Sequence, residues 1–93
     1  MPRKFTPAEI EAALADVPGW TAGGDALVRT FTFADHITAM GFVVRVAMAA
    51  EAMAHHPDLR IVYRTVEIRL WSHDAGGVTK RDVRLAATIN ALA

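Results

Sequence analysis

Residues 26–33, ALVRTFTF, set Leu27, Phe31 and Phe33 on one parity and Thr30 and Thr32 on the other. That is the period of a strand with one buried face. Trp20 to Ala22 reach it across Gly23-Gly24-Asp25, which predicts a hairpin. Upstream, Thr6-Pro7-Ala8-Glu9 forms a capping box with proline at the first helical position, predicting a short helix over about residues 7–15 that closes before Pro18-Gly19. Residues 37–54, ITAMGFVVRVAMAAEAMA, are apolar on most faces and predict a long helix over about 35–54. It must stop near His56, because the residue before Pro57 is pushed out of the α region. Residues 58–71, DLRIVYRTVEIRLW, alternate, but the phase slips: Leu59, Ile61 and Tyr63 are odd, Val66, Ile68 and Leu70 even. One strand cannot change face without a break, so two strands are expected, joined by a tight turn around Tyr63–Thr65 that no glycine marks. After the loop of residues 72–77, Thr79-Lys80-Arg81-Asp82 repeats the capping box with aspartate and opens a last helix with Leu85, Ile89 and Leu92 on one stripe. The order αββαββα predicts a single α+β domain over residues 1–93, a mainly antiparallel four-stranded sheet covered by helices.

Composition narrows the function classes. Ten basic and ten acidic residues cancel, so nothing points to nucleic acid or an anionic membrane. Arg60, Arg64 and Arg69 read as a solvated sheet face, since Glu67 interrupts them and no aromatic interleaving accompanies them. The absence of cysteine removes disulfides, thiolate nucleophiles and the common zinc-finger ligand sets. The N-terminus MPRKFTPAEI is polar, with no apolar run of a signal peptide, and a cytoplasmic location is expected. Residues 37–54 reach the minimum length of a membrane span, but central Arg45 costs about 2.5–3.5 kcal/mol there and Glu51 adds a second charge. The expected alternative is burial on several sides, partly by a second copy, giving a homodimer or homotetramer. Ala39, Gly41, Ala47, Ala49 and Ala50 would allow another helix to approach closely.

Two of the four histidines stand side by side in EAMAHHPDLRIVY, residues 51–63. His55 and His56 fall where the long helix hands over to a strand, and His73 falls in the loop after the second strand of the next hairpin. An antiparallel hairpin returns to the end where it began, so His73 is expected to come back near the pair. Three converging imidazoles suit proton transfer near neutral pH, and Glu51, four residues before His55, is the expected neighbour that tunes it. His36 lies outside this group and is expected at the surface. No ligand spacing like HExxH is present, and no metal is expected. Asp82 reads equally as a helix cap or a site residue and Trp20 as core or pocket wall, while Tyr63 reads as strand core ahead of substrate contact.

The chain resembles the pterin-4a-carbinolamine dehydratases (4a-hydroxytetrahydrobiopterin dehydratases). The family signature is a charged residue, three residues, His-His-Pro, an aromatic, a later His and an Asp. Here it reads Glu51, His55-His56-Pro57, Tyr63, His73 and Asp82. SHDAGGVTKRDVRLAATI is similar to the family's closing loop and helix, and Pro18-Gly19-Trp20 to its first strand entry. Trp71 departs from the pattern by standing where a small polar residue is expected, and Arg60 replaces bulkier residues. The resemblance implies a cofactor-free hydro-lyase that dehydrates a 4a-hydroxytetrahydropterin to the quinonoid dihydropterin, in tetrahydrobiopterin recycling alongside an aromatic amino acid hydroxylase. It implies His55, His56 and His73 as the catalytic cluster, with His55 and His73 the acid/base pair and His56 chiefly holding the pterin. Glu51, Asp82, Ser72, Asp74, Trp20 and Tyr63 are implied as substrate-binding. Some family members also act as dimerisation cofactors, so a non-catalytic binding module is the second expectation.

Overall fold

The computed structural model describes residues 3–93; the first two residues of the polar N-terminal segment lie outside them. Helix α1 covers Pro7–Leu14, strands β1 and β2 Thr21–Gly23 and Ala26–Thr32, helix α2 His36–Ala52, strands β3 and β4 Asp58–Val62 and Thr65–Leu70, and helix α3 Lys80–Leu92. The strands form one antiparallel sheet in the order β1-β2-β4-β3.

The phase slip in residues 58–71 is the signature of the β3–β4 hairpin. Val62 pairs with Thr65, leaving Tyr63 and Arg64 as a two-residue turn, so Leu59 faces Ile68 and Ile61 faces Val66 across the strands. Odd positions of β3 thus share a face with even positions of β4. Tyr63 takes the left-handed conformation, φ 53°, that such turns usually give to glycine. The first hairpin turns at Gly24–Asp25, where Gly24 has φ 64°.

α2 and α3 pack together over one face of the sheet. That face supplies Leu27, Phe31, Val66, Ile68 and Leu70, which meet Phe42, Val46, Leu85 and Ile89 in a core with no accessible surface at most of these positions. Phe42 stacks at a tilt against both Phe31 and Phe33, with centroids 4.9 and 4.8 Å away. Arg29 also points to this face, because it pairs with Ile68. Its charge is accommodated over the Phe31 ring at 4.3 Å, with Nη1 donating to the Pro18 carbonyl and to Asn90 Oδ1. No helix among the described residues is long and apolar enough to cross a membrane. α2 is bounded at its start by Asp35, whose carboxylate accepts from the Thr38 amide at 2.7 Å.

Candidate functional site

The end of α2 determines where the adjacent histidines go. Met53 is the last capping residue, Ala54 adopts φ 51°, and two reversed bonds close the helix: Ala54 N–H to Glu51 O at 3.0 Å and His55 N–H to Ala50 O at 3.1 Å. This is a Schellman turn, with alanine where glycine is usual. A left-handed alanine costs roughly 1–2 kcal/mol, so the surrounding contacts must hold it. Pro57 then keeps His56 extended. His55 is turned inward and buried, while His56 faces solvent.

Behind His55 lies Asp82, which is wholly buried. Its Oδ1 accepts from His55 Nε2 at 2.5 Å; its Oδ2 accepts from Ser72 Oγ at 2.9 Å and from the Thr79 amide at 2.8 Å. Ser72 Oγ also bonds Thr79 Oγ1 at 2.8 Å. Asp82 is therefore both the N3 residue of the α3 capping box and the partner of a histidine. A carboxylate accepting from Nε2 fixes the neutral imidazole with its proton on that nitrogen and leaves Nδ1 as the basic one. Ser72, expected as a substrate contact, is buried and serves this network instead.

The loop following β4 closes on itself through the Ser72 amide to Gly77 O at 2.9 Å and the Gly76 amide to Ser72 O at 2.9 Å, presenting His73 and Asp74 outward. An Arg81–Asp74 ion pair ties this loop to α3. The hydrogen bond from Arg81 holds the Asp74 carboxyl below its ordinary range. The His73 ring stacks on Trp71, with centroids 4.5 Å apart and planes at 28°. A cavity of about 280 Å³ is lined by Ala54, His55, His56, Trp71, His73 and Asp74. The three imidazoles of the sequence signature therefore share one cavity wall. Among the described residues, no three His, Asp or Glu side chains cluster as ligands for a metal ion.

Other expected site residues are elsewhere. Glu51 pairs with His56, not His55: Oε1 lies 2.7 Å from His56 Nε2, both groups largely exposed. Helical spacing no longer applies beyond Ala52, because the Schellman turn rotates His55 away and delivers His56 instead. Trp20 is core: it meets Phe31 edge-on and donates from Nε1 to Asn90 Oδ1 at 2.7 Å. Tyr63 is exposed on the hairpin turn, at the opposite end of β3 and β4 from the histidines, where its carbonyl lies 2.6 Å from His36 Nδ1. Trp71 was marked in the sequence only as a departure, yet it forms a wall of the cavity. Its signal was a large aromatic two residues before a candidate histidine.

Three helices on a four-stranded antiparallel sheet, with imidazoles gathered at one sheet end, define an α+β protein with a site suited to acid–base chemistry. The family model described as pterin 4 alpha carbinolamine dehydratase matches residues 3–92, and the chain belongs to that family. A protein of Nitrobacter winogradskyi, provisionally named pterin-4-alpha-carbinolamine dehydratase, is 53% identical over 95 aligned positions spanning all of this chain and 94% of that one. The crystal structure of a protein described as a transcriptional coactivator/pterin dehydratase from Brucella melitensis superposes with a TM-score of 0.94 at 35% identity, covering 98% of this chain and 99% of that one. A pterin dehydratase-like protein described as a RuBisCO assembly factor in the alpha-carboxysome shares the fold at a TM-score of 0.65 and 20% identity, over 78% of this chain and 84% of that one.

Proposed function

We propose that the chain is a 4a-hydroxytetrahydropterin dehydratase. In this reaction the C4a–O bond breaks as the lone pair of the adjacent ring nitrogen pushes in, the oxygen takes a proton and leaves as water, and a ring proton is given up. The protein has to supply an acid for the departing oxygen and a base for the ring proton. Both are tasks for imidazoles, each typically worth about 10²–10⁴-fold in rate. The observation that carries this reading is the single cavity shared by His55, His56 and His73, with His55 locked to buried Asp82.

In this assignment His55 acts through Nδ1, the nitrogen Asp82 leaves free, and exchanges protons with one side of the ring. His73, on the loop, serves the other side. His56, held by Glu51 at the rim, grips the pterin. Purified protein should accelerate dehydration of enzymatically generated 4a-hydroxytetrahydropterin, and EDTA should leave the rate unchanged. A rate equal to the spontaneous one, or one that EDTA abolishes, refutes the proposal.

A second reading is a non-catalytic binding module; two structural relatives are described as a transcriptional coactivator/pterin dehydratase and as a RuBisCO assembly factor. It is favoured by the outer face of α2, where Ile37, Val44 and Met48 are 82%, 54% and 69% exposed. Gly41 lies between them at helical spacing. A binding module has no need of three imidazoles in one cavity, so the enzyme reading comes first. The α2 face we assign to a second copy of the chain, as a homo-oligomer contact.

A further inference from the structure

Another cavity, of about 520 Å³, lies between α1 and the start of α3 and shares no residue with the histidine cavity. Phe5, Ala13 and Val83 give it an apolar wall, and Lys80, Arg81, Arg84 and Asp16 give it charge. Both rims are fixed by the backbone. The Phe5 amide donates to the Val78 carbonyl at 2.7 Å, just before α3, and the Asp16 amide to the Ala13 carbonyl at 3.0 Å, at the end of α1.

The charges around this cavity do not balance. Asp82, the acidic residue in the first turn of α3, is wholly buried and committed to His55, Ser72 and Thr79. Lys80 stands at the first position of α3, where the helix dipole disfavours a cation. Arg84, four residues on, repels it along the same helix face. Neither makes an ion pair with a described residue. Arg81 gives its Nη2 to Asp74, and its Nε is buried with no hydrogen-bond partner among the described residues. Against these three cations the lining sets one carboxylate, Asp16.

We propose that this cavity binds a small organic acid, with one anionic group on Lys80 and Arg84 and an apolar body against Phe5, Ala13 and Val83. The excess of donors selects an anion, and Asp16 disfavours a second negative charge. The apolar wall gives a carbon body the advantage over an inorganic ion. The volume falls within the range of small-molecule sites, roughly 300–1,000 Å³. This site is independent of the dehydratase reading.

The test is an amide NMR titration of the whole chain with three probes at low salt. 3-Phenylpropionate has the charge and the body, sulfate the charge without the body, and 3-phenylpropylamine the body with the opposite charge. 3-Phenylpropionate should bind saturably and move the amides of residues 13–16 and 80–84 ahead of those of 54–56 and 71–74. Burying its ring and methylenes, and pairing its carboxylate, are each worth roughly tenfold or more, so sulfate and the amine should bind at least about tenfold more weakly. Lys80→Gln/Arg84→Gln should weaken 3-phenylpropionate binding roughly tenfold or more, and its spectrum reports the fold. Both substitutions leave the Thr79–Asp82 capping box in place. Should the pair unfold the chain, Lys80→Gln alone carries the same comparison. Sulfate or the amine binding as tightly as 3-phenylpropionate, or shifts centred on the histidines, overturns the site. So does an absence of saturable binding, or an unchanged affinity in the folded variant.

Discussion

Replacing Asp82 with asparagine separates its two duties. The carboxylate accepts three hydrogen bonds, from His55 Nε2, Ser72 Oγ and the Thr79 amide. An asparagine carbonyl in the Oδ2 position keeps the last two, since the Thr79 N–H can only donate. Its amide nitrogen then faces His55 and must donate, so the imidazole has to move its proton to Nδ1. Nδ1, the nitrogen proposed to act on the substrate, changes from acceptor to donor. All three charge-assisted bonds become neutral ones, a loss of at least about 1.5 kcal/mol given net values of roughly 1.5–3 for charged and 1 for neutral bonds. For a domain of this size each kcal/mol lowers Tm by roughly 4–8 °C, so Tm falls by at least about 6 °C. Asp82→Ala instead orphans all three donors, costs about 3–5 kcal/mol, and endangers the fold. Asp82→Asn should therefore remain folded by urea titration, show a His55 tautomer switch in nitrogen NMR of the imidazole, and lose about 10²–10⁴ in kcat. Wild-type kcat in this variant, or a loss no larger than its unfolded fraction, refutes the reasoning.

His55→Ala and His73→Ala should each slow dehydration and the double variant should lose most of it, while His56→Ala chiefly raises KM; three single variants with wild-type kinetics would defeat the site assignment. Glu9, held at about 2 by hydrogen bonds from Arg3 and then the Thr6 amide, binds more protons unfolded than folded in acid. Its stabilisation is thus full above the ordinary glutamate value of 4.5 and lost as pH falls toward 2. The urea midpoint difference between wild type and Glu9→Gln should accordingly be constant above about pH 5 and vanish near pH 2; a difference that grows on acidification contradicts it. Val44→Glu or Ala47→Glu on the outer face of α2 should dissociate the assembly or make the chain insoluble. A stable wild-type 10.1 kDa monomer in sedimentation at micromolar concentration would refute that contact.

Both capping boxes, the glycine hairpin and the parity slip were readable because each is a local rule with a short range. Thr6 and Glu9 bond reciprocally, as do Thr79 and Asp82, wherever the rest of the chain goes. The slip placed a turn around Tyr63–Thr65, narrowed in the structure to Tyr63 and Arg64, because Leu59, Ile61, Val66, Ile68 and Leu70 had to reach one core. The end of α2 was less legible. Its Schellman turn uses Ala54, whose sequence carries no glycine flag, so helical spacing was carried past Ala52 and assigned Glu51 to the wrong histidine. Trp20 was undecidable, and Tyr63, expected in the strand core, is exposed on the turn, for a different reason. Motif position says nothing about which sheet end a residue occupies, and one is core beneath Asn90 while the other caps the distal turn.

The even split over Asp82 between cap and site residue dissolves, because the alternatives were never exclusive. One oxygen serves the α3 amide and Ser72, the other His55. The arrangement links orientation of an imidazole to formation of the first turn of a helix: α3 cannot fray there without releasing His55, and His55 cannot rotate without exposing a capped carboxylate. His56 and His73 lack such anchorage, being held by a solvent-exposed glutamate and by stacking on an indole. On the proposed dehydratase reading, such a site has one anchored imidazole at its base for proton transfer and two adjustable ones at its rim. That division suits a flat ring that must enter, be gripped from the edge, and present its reacting carbon to a group that does not move.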